Sequence, residues 1–211
     1  MCYSCLCTSI NEVAIHGIPS SSDILHSGDL VSVDVAIFTG TAHGDACETF
    51  LVLDGNPISI EEYTLQKHLL FCAKRACDAG ISVCGPGVKF SAIAKAISQE
   101  VFECGCRVIA GVGGHGIGEF FHGPPYVAHS VFEKESKFAD IEMRPGHVFT
   151  IEPAVAAATV KSHLANEITE HLALPAVSKN GWSVCTTDCA LTAQFEETIL
   201  ITPSGVDILT H

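Results

Sequence analysis

The sequence predicts a mixed α/β domain of the α+β kind, built from antiparallel hairpins with flanking helices. Three observations carry this prediction. SGDLVSVDVAIF (27–38) and MRPGHVFTIEPAVAA (143–157) mirror each other, each with a glycine turn followed by an apolar strand that carries one acid in its middle. Each is followed by a second strand pattern that can fold back on it. Two segments with helical spacing lie between the two pairs. The order hairpin–helix–helix–hairpin suggests a weak internal repeat, so 1–211 is read as one domain with two related halves.

The elements follow in chain order. Val31, Val33, Val35 and Ile37 alternate with Ser32, Asp34, Ala36 and Phe38, which is strand periodicity. TGTAHGD reads as a turn and ACETFLVL as the return strand, placing Asp34 and Asp45 near each other on one hairpin. SIEE at 59–62 is a capping-box start for a helix that Gly80 is expected to close, with Leu65, Leu69, Leu70, Ala73, Ala76 and Cys77 at helical spacing. After the loop GISVCGPGVKF comes a second helix, whose stripe is Ile93, Ala94, Ile97, Val101 and Phe102. RVIAGVGGHGIG reads as a strand running into a flexible glycine loop, and WSVCTTDCALTAQFEETILITPSG as two further strands. Residues 156–181 read as a long surface insertion.

Composition narrows the function. Hydrophobic residues make up 47% and charged residues 17%, enough to bury a core and too apolar for disorder. The formal net charge of −13 argues against a nucleic-acid partner. No apolar run reaches the roughly 18 residues that a membrane span needs, and the start MCYSCLCTSINEV lacks a basic segment and an apolar run. The 11 cysteines are read as reduced thiols in a cytoplasmic setting. Cys2, Cys5 and Cys7 have no second CxxC to complete a zinc site.

Five residues carry the chemistry: Asp34, Asp45, His115, Glu152 and Glu196. Each sits in an apolar or glycine-rich setting where a charge is costly unless neutralised. Four acids and an imidazole at one place repel each other unless cations lie between them. Hard oxygen donors with one nitrogen suit a pair of divalent metals, the arrangement of a two-metal hydrolase. The glycines around His115 are read as room for close approach of a ligand. Pro153 is expected to end a strand at Glu152, beside the site. Glu196 and Glu197 must face opposite ways, and spacing alone does not choose between them. Glu167 and His171 are read as an exposed helical turn, and His26, His43 and His68 as surface or turn residues.

Taken together, SINEVAIHGIP, DLVSVDVAIF with HGDACETF, GGHGIGEFFH, RPGHVFTIEP, GWSV and AQFEETILIT resemble the methionine aminopeptidases, most of all type 1, from about Cys7 to Thr210. The resemblance implies the pita-bread fold, in which two pseudo-symmetric halves with antiparallel sheet and flanking helices hold the metals between them. It implies Asp34, Asp45, His115, Glu152 and Glu196 as ligands, with Asp45 and Glu196 bridging, and so chooses Glu196 over Glu197. It implies His16 near the substrate amine, His122 at the scissile peptide, and Phe121, Trp182 and Cys7 around the methionine side chain. Glu152 is the expected proton acceptor. The implied cofactors are two divalent ions (Co, Mn, Fe or Zn). The implied partners are peptide and nascent-protein N-termini with a small second residue, met by a monomer at the ribosome. Family members carry a further N-terminal segment that includes a helix and part of the pocket. Almost nothing precedes Cys7 here, so a truncated gene model, an alternative start or a genuinely reduced enzyme is expected. The competing readings are a proline-directed metallopeptidase of the same fold, told apart by HGIP and the short length, and an inactive or truncated binding relative, marked by lost ligands.

Overall fold

The computed structural model describes residues 5–132, 137–158 and 172–210. The first hairpin forms as its periodicity predicts: β3 (Leu30–Phe38) pairs antiparallel with β4 (His43–Leu51), and β1 (Leu6–Ile10) adds to the other side of β3. Asp34 lies opposite Cys47, and Ala36 opposite Asp45. Directly opposed residues share a face, and so do residues two apart along a strand, so both aspartates project from one face of the hairpin. Cys7 pairs with Asp34 and joins that face.

Helix α1 (Ile60–Ser82) starts where the capping box predicts, with Ser59 Oγ accepting from the Glu62 amide at 3.1 Å. Gly80 does not close it. The helix runs two residues further, because Gly80 serves as a contact point: a Cβ there would lie 3.0 Å from Ile97 and 3.1 Å from Ile151. Helix α2 (Ser91–Glu103) buries Ile93, Ala94, Ile97 and Val101. Phe102 is only half-buried, so it leaves the expected stripe and tilts against Phe132 instead.

The second half contains two sheets. One is ordered β15 (Gly205–Ile208), β14 (Glu197–Thr202), β8 (Val148–Ile151), β6 (Gly114–Gly116), β7 (Gly123–Val127). The other is ordered β10 (Leu172–Ala173), β5 (Arg107–Ile109), β9 (Ala154–Ala156), β13 (Thr192–Gln194). A small third sheet joins β11 (Pro175–Val177), β12 (Val184–Thr186) and β2 (Val13–Ile15). The region after Ala158 is therefore more than a surface insertion. Residues 159–171, with Glu167 and His171, lie outside the described residues, but Leu172 and Ala173 are buried and add β10 parallel to β5.

Strand pairing runs β8 with β14 up to Ile151 opposite Glu197, and β9 with β13 from Ala154 opposite Gln194. Glu152 and Glu196 both fall in the gap where the chain passes from one sheet to the other. There Glu196 bridges back to Cys47 of the first hairpin, its amide donating to the Cys47 carbonyl at 2.8 Å. This bridge joins the two halves. The main core lies between the helices and the second half, with Leu69, Ala73, Ile93, Ile97, Phe149, Ile151, Ile199 and Ile201 essentially inaccessible. Among the described residues no helix is long and apolar enough to cross a membrane.

Candidate metal centre and its cavity

A cavity of about 290 Å³ opens between the halves. Its walls include all ten residues singled out above: Cys7, His16, Asp34, Asp45, His115, Phe121, His122, Glu152, Trp182 and Glu196. Single carboxylate or imidazole atoms of Asp45, His115 and Glu196 lie within 4.8 Å of one another. His115 Nε2 is 3.8 Å from Asp45 Oδ2 and 3.7 Å from Glu152 Oε1.

Backbone geometry fixes each of these groups. Thr198 Oγ1 accepts from the Asp45 amide at 3.0 Å and donates to the Asp45 carbonyl at 2.7 Å, tying β14 to β4. Thr150 Oγ1 accepts from the His115 amide at 3.0 Å and donates to Glu152 Oε1 at 2.8 Å. Gln194 Nε2 donates to the Glu152 carbonyl at 3.0 Å. His115 donates from Nδ1 to the Gly116 carbonyl at 3.2 Å, which leaves the Nε2 lone pair directed at the acids. Thr150, Thr198 and Gln194 lie inside the segments RPGHVFTIEP and AQFEETILIT, but no spacing gives them a role of their own. Only their pairing with β4 and β6 reveals them.

The glycines about His115 have a different cause from the one expected. A Cβ at Gly114 would meet the Thr150 carbonyl at 2.0 Å, and one at Gly116 the Pro124 carbonyl at 2.0 Å. The segment is a strand pressed between β7 and β8, so Gly114 and Gly116 serve strand crossing, while Gly113 lines the cavity as expected. His43 is also misplaced by sequence. It opens β4 half-buried, donates from Nδ1 to the Gly118 carbonyl at 2.9 Å and stacks on Phe38, with Phe121 at its edge. It therefore braces the turn that carries Phe121.

Burial raises Asp45 to about 8, assisted by the charge of Asp34. Glu152 also rises to about 8, chiefly by burial; the Thr150 hydroxyl opposes the shift and Asp45 and Asp34 add to it. Glu196 and Asp34 are raised as well, burial being the main cause for both. Burial lowers His115 to about 4. His16 and His122 are lowered too, mainly by burial, so both imidazoles are neutral at neutral pH. His16 is held at φ 61°, a left-handed conformation uncommon for a side-chain-bearing residue. Its ring stacks on Trp182 at 4.7 Å, and its carbonyl accepts from Ser183 Oγ at 2.9 Å. His122 meets the His115 ring edge-on at 4.3 Å.

These residues fit divalent cations. Asp45 Oδ1 and Glu196 Oε1 are buried with no hydrogen-bond partner, a state that costs about 1–3 kcal/mol per group or more when charged. Thr150 and the hydrogen bond between Asp34 and Asp45 satisfy only part of this cluster, and cations among hard oxygen donors can satisfy the rest.

The comparisons with known proteins agree. A profile described as metallopeptidase family M24 matches residues 1–203. The chain belongs to that family. Within it, the chain is similar to methionine aminopeptidases. It is 39% identical to the mitochondrial methionine aminopeptidase 1D of Mus musculus, over 97% of this chain and 53% of the relative. It is 37% identical to methionine aminopeptidase A of Synechocystis, over 97% of this chain and 72% of the relative. The crystal structure of methionine aminopeptidase from Rickettsia prowazekii superposes with a TM-score of 0.79 at 32% identity, over 98% of this chain and 73% of that one. The fold is thus the pita-bread fold. The chain spans about half the length of the mouse relative.

Proposed function

We propose that this chain is a metal-dependent aminopeptidase that removes methionine from peptide and nascent-protein N-termini when the second residue is small. One observation carries the reading: the acid–histidine cluster and the aromatic residues Phe121 and Trp182 share one cavity of about 290 Å³. That volume lies at the small end of ligand pockets, roughly 300–1,000 Å³, and suits one terminal residue. Trp182 and Phe121 offer a thioether the aromatic contacts it favours, about 0.3–1.5 kcal/mol each, with Cys7 beside them.

Asp34, Asp45, His115, Glu152 and Glu196 would hold two divalent ions, drawn from cobalt, manganese, iron and zinc. When bound, such ions supply Lewis acidity and an acidified water at neutral pH. The remaining steps belong to the protein. Glu152 accepts the proton of the attacking water and passes it toward the leaving amine. Neutral His122 donates a hydrogen bond to the carbonyl oxygen as negative charge builds there. His16, fixed against Trp182, orients the free amine and the first peptide bond. The reading places a monomer in the cytoplasm, working on chains that leave the ribosome.

The test is release of free methionine from Met-Ala-Ser by protein reloaded with each of the four metals in turn, with Leu-Ala-Ser and an X-Pro peptide alongside. Cleavage of Met-Ala-Ser alone is expected. Cleavage restricted to the X-Pro peptide would reassign the site to a proline-directed enzyme. A folded protein inert with every metal would be a binding relative.

A further inference from the structure

One buried imidazole behind the metal cluster takes no part in the steps above. His129 follows the end of β7 by two residues and is inaccessible to solvent. Its Nε2 accepts from the Gly114 amide at 3.3 Å. Accepting there places the ring proton on Nδ1, and Nδ1 is buried with no hydrogen-bond partner among the described residues. Packing alone does not account for this ring, because an apolar ring would fill the same space without an orphaned donor. What an apolar ring could not do is accept from Gly114.

The use of that acceptor follows from the strand that carries His115. β6 pairs with β8 through Gly116, opposite Phe149. Two residues earlier the Gly114 Cα lies over the Thr150 carbonyl, which a Cβ there would meet at 2.0 Å. Two consecutive amides of β6 then donate to side chains: Gly114 to His129 Nε2, and His115 to Thr150 Oγ1 at 3.0 Å. His129 is itself anchored from behind. Two residues further on, the Val131 amide donates to Ser98 Oγ of α2 at 3.1 Å. The strand that holds the imidazole ligand is thus tied to β8 by Thr150 and toward α2 by His129.

We propose that His129 is a positioning residue for the metal centre. By accepting from the Gly114 amide it fixes β6 where His115 Nε2 lies 3.8 Å from Asp45 Oδ2 and 3.7 Å from Glu152 Oε1. This role rests on the metal reading given under Proposed function, and it assigns His129 no contact with substrate or ion.

Calorimetric titration of the metal-free protein with Mn²⁺ tests this, with melting temperatures of the same metal-free samples beside it. His129→Phe keeps a ring and removes the acceptor. It is expected to weaken Mn²⁺ binding roughly 10–100-fold, the usual cost of losing a group that orients a ligand. His129→Gln, whose Oε1 can stand where Nε2 does, is expected to restore most of the affinity. His129→Asn, polar but one methylene shorter, is expected to bind as weakly as His129→Phe, so the Gln and Asn variants decide the matter if His129→Phe does not fold. The visible bands of the cobalt(II)-loaded protein, which report ligand geometry, should shift in the Phe and Asn variants and return in the Gln variant. Parent-like affinity in His129→Phe, or equal losses in His129→Gln and His129→Asn, would overturn the positioning role. So would affinities that only track the melting temperatures, which would make His129 a packing residue. A parent protein that binds no Mn²⁺, or binding left untouched by Asp45→Asn, would overturn the metal reading itself and this role with it.

Discussion

Both halves supply the site but are supported differently. In the second half, β8 and β14 lie under α1 and α2, and Phe149, Ile151, Ile199 and Ile201 are shut away from solvent. In the first half, β3 and β4 turn Asp34 and Asp45 into the cavity and leave the opposite face open: Val35 is 41% exposed, Ile37 58% and Phe50 47%. The lesson concerns what each strand's pattern encodes. In β8 the apolar residues are the core. In β3 the polar side of the alternation is the buried, functional side, and the valine side is the outer face. Asp34 and Asp45 are therefore held by strand pairing and by the Thr198 and Cys47 links to the second half.

The largest effects should show the symmetry of the site. Asp45→Ala in the first half and Glu196→Ala in the second should each reduce methionine release from Met-Ala-Ser to background, because the proposed function makes each a ligand of the bound ions. Circular dichroism checks that the fold survives. A residual rate in one variant and not the other would make the halves unequal in function. His122→Ala should lower kcat by about 10²–10³-fold with a smaller change in KM, the cost of losing the oxyanion donor that the proposed function makes of it.

Stability should show the asymmetry. Ile151→Ala empties part of the closed core and should cost about 2–5 kcal/mol in urea unfolding. Ile37→Ala, on the open face, should change stability by no more than about 0.5 kcal/mol. Equal losses would mean that the outer face of β3 is covered in solution.

Proton linkage gives a subtler effect. Asp45 and Glu152 have folded values of about 8, well above the roughly 4 of an unfolded chain. Folding thus favours their neutral forms. Their contribution is fully present below pH ~4 and is lost as pH rises through about 8. Chelator-treated protein should therefore melt at progressively lower temperature as pH rises through that window. Divalent metal should flatten the profile, because the cations stabilise the charged forms.

Sequence went far toward this site because its chemistry is local. An aspartate among valines, a glutamate before proline and a histidine among glycines each conflict with their own surroundings, and such conflict marks function. The family motifs then resolved Glu196 from Glu197, which alternation could not do. What stayed illegible depends on other strands. The glycines beside His115 answer to carbonyls of β7 and β8. Gly80 answers to Ile97 and Ile151. The bracing roles of Thr150, Thr198 and His43 exist only once β4, β6 and β14 are paired. β10 was hidden because a two-residue strand leaves no periodicity to read.

Buried carboxylates from both halves, protonated in the absence of cations, are proposed to hold divalent ions. Calorimetric titration with Mn²⁺ at pH 7, in buffers of different ionisation enthalpy, tests this most directly. Binding should release protons, release should fade as pH rises above about 8, and it should shrink in both Asp45→Asn and Glu196→Gln. Tight binding with no proton release, or release unchanged by both substitutions, would contradict the account.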